Sequence, residues 1–196
     1  MKIKNRVILS VGAVFLALLS GCSATGGMNG SDNWESVSGS FDGWRQIGDA
    51  NWRLEGNTFV ADAGNGHLVT EESFTDFEIR AEFWVDQPAN SGVFLRASDP
   101  NEITQSNAYE VNIFDTRPDQ TYRTGSIVEF APPTVSVNTD GQWNVYSITA
   151  DGNKIKVVLN GFTTVELEDD TYRSGPISLQ YGAGVVKFRN VQIRRL

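Results

Sequence analysis

Residues 77–85 have the sequence Phe-Glu-Ile-Arg-Ala-Glu-Phe-Trp-Val, and this stretch decides the fold class. Apolar residues occupy every odd position, and the even positions hold Glu, Arg, Glu and Trp. Successive side chains of a β-strand point to opposite faces of a sheet. The alternation therefore predicts a strand whose odd positions are buried in a core. Its even positions, among them Glu82 and Trp84, are expected to face outward.

The same period of two recurs along the chain, and short turn motifs separate the alternating runs. The runs are Val93–Arg96, Tyr109–Asp115, Asn144–Ala150, Ile155–Leu159, Ile177–Tyr181 and Val185–Ile193. Asp151-Gly152-Asn153 and Asn160-Gly161 are typical of hairpin turns, because Gly and Asn accept the left-handed backbone that such turns need. Outside the N-terminal segment, no window of helical length carries a 3.6-residue apolar stripe. The sequence predicts an all-β sandwich of two antiparallel sheets.

The N-terminus has the pattern of an export signal. Three basic residues in the first six positions precede the uncharged apolar run Val7–Leu19. A helix of that length spans about 20 Å, too short for a bilayer core of about 30 Å, so we expect a cleavable signal peptide. The run ends in Leu19-Ser20-Gly21-Cys22, which resembles the lipobox of bacterial lipoproteins. Cys22 is the only cysteine in the chain, and we expect it to carry the lipid.

These features predict three parts: a lipoprotein signal peptide over 1–21, a lipidated cysteine with a flexible tether over 22–38, and one β-domain over 39–196. Ser23 follows the cysteine where an inner-membrane retention signal usually places Asp. By resemblance to lipoprotein sorting, we expect a lipid-anchored protein of the cell envelope at the outer membrane, facing the periplasm.

The charge of the chain restricts its partners. Residues 1–21 hold three of the 16 basic residues and none of the 24 acidic ones, so the net charge without them is −11 rather than −8. A field of that sign repels nucleic acid and anionic membrane surfaces. We therefore expect no nucleic-acid partner, and contact with a membrane only through the anchor on Cys22.

If the apolar sets point inward, the outward set combines carboxylate, guanidinium, amide and aromatic groups. Its members are Glu82, Trp84, Phe94, Arg96, Glu110, Asn112, Phe114 and Gln180. Sugars present hydroxyls to planar polar groups and apolar ring faces to aromatics, so such a face suits a carbohydrate ligand. The alternative is a solvated sheet face that is polar because water covers it, although a merely wet face seldom carries large aromatics.

Other chemistry has little support in the sequence. His67 is the sole histidine and is expected at the surface, and no serine stands beside it in sequence to suggest a serine–histidine mechanism. One histidine and one lipidated cysteine leave no zinc site of the usual nitrogen and sulfur type. Acidic loops leave an oxygen-ligated divalent cation as an open alternative, with no cofactor established. The nucleophile-elbow, P-loop and dinucleotide-binding motifs are all missing.

Seven short motifs follow one another in a familiar order. They are Asn90-Ser91-Gly92-Val93-Phe94-Leu95-Arg96, Tyr109-Glu110-Val111-Asn112-Ile113-Phe114-Asp115, Thr124-Gly125-Ser126-Ile127, Gln142-Trp143-Asn144, Leu159-Asn160-Gly161, Gly175-Pro176-Ile177-Ser178-Leu179-Gln180 and Phe188-Arg189-Asn190-Val191-Gln192-Ile193. Together they resemble the 3-keto-disaccharide hydrolase domain family, over about 41–196. The resemblance implies a concanavalin-like jelly roll with a ligand groove on its concave face. It also implies cleavage of 3-keto-glycosides by elimination and hydration.

Carried onto this chain, the family's polar cluster maps to Glu82, Asn90, Arg96, Glu110 and Gln180. The resemblance implies Glu110 as general base with Glu82 as the alternative, and Arg96 as the group that stabilises the enolate. The substrate-binding residues are then Asn90, Asn112 and Gln180 for hydroxyls, and Trp84 and Phe114 for stacking.

Two positions depart from the family pattern, because Asn112 stands where Gln is usual and Tyr181 where His is usual. Two interpretations therefore stay open. The first is an enzyme that acts on 3-keto-glycosides. The second is a non-catalytic carbohydrate-binding lipoprotein on the same scaffold.

Overall fold

A computed structural model of the protein describes residues 33–196. The predicted signal peptide, Cys22 and the first part of the predicted tether lie outside the described residues. Between Asn33 and Leu196, no helix is long and apolar enough to cross a bilayer.

Thirteen strands and one short 3₁₀-helix make up the described part of the chain. They are β1 (Glu35–Ser36), β2 (Trp44–Gly48), β3 (Arg53–Glu55), β4 (Thr58–Ala61), β5 (Gly66–Thr70), β6 (Phe77–Val85), β7 (Asn90–Leu95), β8 (Tyr109–Ile113), the 3₁₀-helix η1 (Gln120–Tyr122), β9 (Trp143–Asp151), β10 (Lys154–Leu159), β11 (Phe162–Glu168), β12 (Ser178–Ala183) and β13 (Val186–Arg195). The turns Asp151-Gly152-Asn153 and Asn160-Gly161 join β9 to β10 and β10 to β11. Gly152, Asn160 and Gly161 all have positive φ, as those turns were expected to need.

The strands form two antiparallel sheets, which confirms the predicted all-β sandwich. The eight-stranded sheet has the order β11-β10-β9-β6-β13-β4-β3, and β1 pairs with β13 off this path. The five-stranded sheet has the order β2-β5-β12-β7-β8. Aromatic and aliphatic side chains from both sheets form one shared core, with Phe77, Phe83 and Phe188 fully buried in it.

The two sheets differ in how far the side chains on their outer faces are buried. In β6 the odd positions are buried and the even ones are exposed or half-buried, as the alternation of residues 77–85 predicts. In β5 and β8 every residue is buried. The reason is a second, smaller apolar cluster on the outer face of the five-stranded sheet, formed by Val69, Phe94 and residues of the segment 97–108. Loops therefore cover part of this face, and water covers most of the other.

The sandwich begins earlier than the sequence predicted. The tether was expected to run to residue 38, but β1 pairs with β13 through Glu35 and Ser36. Trp34 stacks under the guanidinium of Arg80, whose carbon lies 4.2 Å from the ring centroid. The main-chain N–H of Val37 donates to the carbonyl of Val191 at 2.9 Å. Residues 34–38 therefore belong to the domain.

Candidate functional site

A polar cleft of about 450 Å³ opens on the outer face of the five-stranded sheet. Strands β5, β7, β8 and β12 form its floor, and the loop segment 103–106 forms one wall. Its lining residues are Asn65, His67, Asn90, Phe94, Ile103, Thr104, Gln105, Ser106, Glu110, Arg117 and Gln180. A second groove, of about 430 Å³, runs along β10 and β11, but its Lys156 and Glu166 already form an exposed ion pair at 2.9 Å. In the cleft on the five-stranded sheet, neither of the two charged residues, Glu110 and Arg117, forms an ion pair with another described residue.

Strand register places the floor residues in two rows across the sheet. One row runs from His67 through Gln180 to Gly92, and the adjacent row contains Phe94 and Glu110. A Cβ at Gly92 would lie 3.4 Å from both Glu110 Cγ and Phe94 Cε2, which is van der Waals contact. Glycine at this position therefore leaves open the space beside the Glu110 carboxylate.

Glu110 is the buried carboxyl group of the cleft. Only 5% of the residue is exposed, and its carboxyl group accepts no hydrogen bond from any residue in the described part of the chain. Burial raises the pKa of Glu110 to about 7, Arg117 opposes this rise and Glu129 adds to it. A carboxyl group with a pKa near neutrality holds and releases a proton readily at working pH, as a general base must.

Two further groups beside the cleft are buried without a partner. The side-chain oxygen of Gln180 and the Nε of Arg117 make no hydrogen bond. Buried polar groups in folded proteins are nearly always paired, so unpaired ones next to a cleft indicate the place of a polar ligand. Asn90 also lines the cleft, and a Cβ at Gly182 would lie 3.0 Å from its amide nitrogen, so glycine at position 182 leaves room for the Asn90 side chain.

His67 also lines the cleft, and the prediction that it is a surface histidine is wrong. The residue is only 7% exposed, and burial lowers its pKa to about 4. Its Nδ1 lies 3.1 Å from the hydroxyl oxygen of Ser178, and its ring meets Phe94 edge to face at 5.1 Å. Sequence reasoning missed the pair because 111 residues separate His67 and Ser178, and only the register of β5 with β12 brings them together.

The prediction that Glu82 and Trp84 share a face with Glu110 is wrong. Both residues belong to β6, on the outer face of the eight-stranded sheet. Glu82 accepts hydrogen bonds from Arg189 at 2.7 Å and Asn190 at 2.8 Å, and the ring of Trp84 lies 4.9 Å from the Lys187 amine. Alternation along a strand shows which side chains point outward, but it does not show which sheet the strand joins.

Arg96 was expected in the site, but the structure places it elsewhere. β7 ends at Leu95, and Arg96 has a φ of +54° that turns its side chain away from the cleft-lining set. The buried guanidinium donates to the carbonyls of Thr75 at 2.8 Å and Gly152 at 2.9 Å, and forms an ion pair with Asp76 at 3.2 Å. Arg96 therefore joins separate loops at one end of the sandwich.

Asn112 and Phe114 were expected to bind substrate, but neither lines the cleft. Asn112 is fully buried, and its amide donates to the carbonyl of Tyr122. The main-chain N–H of Phe114 donates to the hydroxyl of Thr124 at 2.8 Å. Both residues hold the segment 114–124 against β8. Of the predicted site residues, Glu110, Asn90 and Gln180 are the ones that meet in the cleft.

Arg117 and the loop segment 103–106 were not predicted from the sequence. They lie in loops without periodicity, so no sequence pattern marks them. Within residues 33–196, no group of three or more His, Cys, Asp or Glu side chains is placed to hold a metal ion. The divalent cation suggested by the acidic loops stays a prediction.

The chain belongs to the family of 3-keto-alpha-glucoside-1,2-lyase-like domains, whose sequence profile matches residues 33–194. This confirms the family that the seven motifs indicate. No curated protein matches the chain.

Solved structures show the same fold. One is a protein of Parabacteroides distasonis provisionally named a glycosyl hydrolase, with 22% identity over 83% of this chain and 99% of that one, and a TM-score of 0.71. Another is the carbohydrate-binding module CBM66 of Bacillus subtilis, with 16% identity over 78% and 95% of the two chains and a TM-score of 0.58. A third is a Bacillus subtilis protein of galectin-like fold, with 15% identity over 83% and 98% and a TM-score of 0.53. These neighbours confirm the concanavalin-like jelly roll.

Proposed function

We propose that the protein cleaves 3-keto-glycosides in the cleft, by base-catalysed elimination followed by hydration. Membership of the family gives the chain a carbohydrate-related function. The observation that carries the finer proposal is Glu110, a carboxyl group without a hydrogen-bond partner on the floor of a polar cleft.

The proposed chemistry needs one well-placed base. A ketone at C3 of the sugar acidifies the proton on C2, and the Glu110 carboxylate removes that proton. The electron pair of the C2–H bond forms an enolate and then a C1–C2 double bond, and the C1 substituent leaves with the electrons of its C–O bond and takes up a proton. Addition of water across the double bond, with hydroxyl to C1 and hydrogen to C2, gives the products of a net hydrolysis.

Arg117 takes the role that the sequence assigned to Arg96. It lines the same cleft as Glu110, and its positive charge opposes the rise in the pKa of that carboxyl group. A guanidinium in the cleft stabilises negative charge that develops on an enolate oxygen. Asn90 and Gln180 are then available for the hydroxyls of the sugar.

Turnover of a 3-keto-glucoside with a chromogenic leaving group tests the proposal. We expect Glu110→Gln to lower kcat by about 10²- to 10⁴-fold, the usual contribution of a general base. Glu82→Gln is the matched control on the other sheet and should leave turnover unchanged. If wild-type protein binds the sugar with saturation but releases no leaving group, the chain is a carbohydrate-binding module instead. If Glu110→Gln turns over like wild type, Glu110 is not the base.

We also propose that the protein is a lipid-anchored envelope protein at the outer membrane. The basis is the lipobox-like sequence ending in Cys22, followed by Ser23. Mass spectrometry of membrane-extracted protein tests this, because an acylated Cys22 at a new N-terminus is expected and an unmodified Cys22 contradicts it. Separation of inner and outer membranes then tests the destination.

A further inference from the structure

His67 lines the cleft, but the proposed reaction gives its imidazole ring no role. Its ring is held from two sides, by the hydroxyl of Ser178 at Nδ1 and by the edge-to-face contact with Phe94. Nε2 makes no hydrogen bond with any residue of 33–196, while the residue lines the cleft. The ring is therefore fixed in orientation, and the free nitrogen is the one that a ligand can reach.

The contact with Ser178 decides which nitrogen carries the proton. Ser178 is fully buried, and its hydroxyl has no partner other than His67 among the described residues. If the hydroxyl accepted a hydrogen bond from a protonated Nδ1, its own proton would be buried without an acceptor, which costs roughly 1–3 kcal/mol. If the hydroxyl donates to Nδ1, both groups are satisfied. The second arrangement leaves the proton on Nε2.

The residue opposite His67 limits what its partner can be. Gln180 is the direct cross-strand neighbour of His67, and its side-chain oxygen is buried without a partner. Because Gln180 lines the cleft while that oxygen is buried, its amide NH2 is the end that a ligand in the cleft can reach. A group that fits between the two residues must therefore accept hydrogen bonds from both His67 and Gln180. The oxygen of a sugar hydroxyl has two lone pairs and can accept both.

We infer that His67, held in its Nε2–H tautomer by Ser178, and Gln180 together bind one hydroxyl of an uncharged sugar in the cleft. This inference rests on the proposed function, because it assigns a binding role within the same cleft. In the register of the sheet, β12 and β7 lie between His67 on β5 and Glu110 on β8. At about 4.8 Å per strand, the two backbones are therefore about 14 Å apart. His67 and Glu110 therefore reach the cleft from different strands, and His67 binds a hydroxyl while Glu110 removes the proton. His67 is a specificity residue, and Ser178 is a positioning residue.

Nitrogen-15 NMR of the imidazole tests the first half of the inference, because the chain has a single histidine and gives one pair of ring signals. In the free protein we expect the neutral Nε2–H tautomer throughout pH 5–8, in agreement with the lowered pKa. In Ser178→Ala we expect the tautomers to mix. A ring that titrates near its ordinary pKa, or that carries its proton on Nδ1, overturns the inference whether or not the protein turns over a 3-keto-glycoside.

Sugar binding tests the second half, with methyl 3-keto-α-glucoside as ligand and Glu110→Gln as the background in which chemistry is blocked. The Nε2 signal should shift on saturation. His67→Phe, which keeps a ring against Phe94 but lacks the donor, should weaken binding about three- to tenfold, the loss of one hydrogen bond. His67→Gln keeps a donor amide and should stay within about twofold. No Nε2 shift at saturation, equal affinities in all three proteins, or no binding of the sugar overturns the inference. Loss of turnover alone, with these results intact, contradicts only the proposed function.

Discussion

The outer faces of the two sheets carry similar residue types in opposite circumstances. On the eight-stranded sheet, charged side chains are partly exposed and paired, as Arg194 with Glu78 at 2.6 Å and Arg189 with Glu82 at 2.7 Å. On the five-stranded sheet, loops cover part of the face, and the Glu110 carboxyl group and the side-chain oxygen of Gln180 are buried beside the cleft without a hydrogen-bond partner. The residue types on a polar sheet face are therefore a weak indicator of a functional site. A buried polar group without a hydrogen-bond partner is a stronger one.

Two glutamates show this most directly. Partial burial raises the pKa of Glu82, but hydrogen bonds from Asn190 and Arg189 outweigh it, and the net shift is downward. Burial raises the pKa of Glu110 to about 7, since nothing comparable offsets it. One carboxylate is stabilised in its charged form by the fold, and the other is held ready to exchange a proton.

The largest expected effect concerns a buried arginine against an exposed one. Arg96→Met should lower the free energy of unfolding by about 3–5 kcal/mol, because it leaves loop carbonyls and Asp76 without their buried cationic partner. Arg189→Met, on the open sheet face, should cost less than about 1 kcal/mol. Denaturant unfolding of the two variants measures both values. Equal losses would contradict the distinction between the buried and the exposed arginine.

The next effect is the pH dependence of stability that Glu110 confers. Between its ordinary pKa of 4.5 and its folded pKa of about 7, the folded state keeps a proton that the unfolded state has lost. Wild-type stability should therefore fall as pH rises through this window, by about 3 kcal/mol in total. Glu110→Gln should lack this fall and gain relative to wild type from pH 4.5 to 7. Parallel stability–pH curves for the two proteins would show that Glu110 ionises as it does in water.

The smallest effect is expected from Glu82→Gln. The ion pair with Arg189 is partly exposed, so the loss at pH 7 should be below about 1 kcal/mol. Because the folded pKa of Glu82 is lowered, this stabilisation is present above the ordinary pKa and disappears as pH falls through the folded value. Thermal unfolding at pH 7 and pH 3 measures the difference. A loss as large as that of Arg96→Met would mean that the open face is structural throughout.

The sequence predicted the sandwich well, because alternation in β6, β9, β10 and β13 reflects one buried and one wet face. The candidate site was predicted in part. Glu110 and Gln180 could be found, since each stands among apolar neighbours of a strand. The predictions failed where a pattern within one strand was used to infer the position of that strand or its side chains relative to distant parts of the chain.

Three residues show what alternation in the sequence cannot predict. The outward position of Glu82 was predictable, but the sheet to which β6 belongs depends on strand pairing along the whole chain. The alternation that includes Arg96 continues one residue past the end of β7, where the left-handed backbone at Arg96 redirects its side chain. Arg117 reaches the cleft from a loop, whose path is set by packing against β8 and leaves no periodic signal.

The position of β1 has a practical consequence. The chain enters the domain at the edge where β1 pairs with β13, in the sheet opposite the one that carries the cleft. A label or linker attached at β1, on a sensor chip or a resin, is therefore on the sheet that does not carry the cleft.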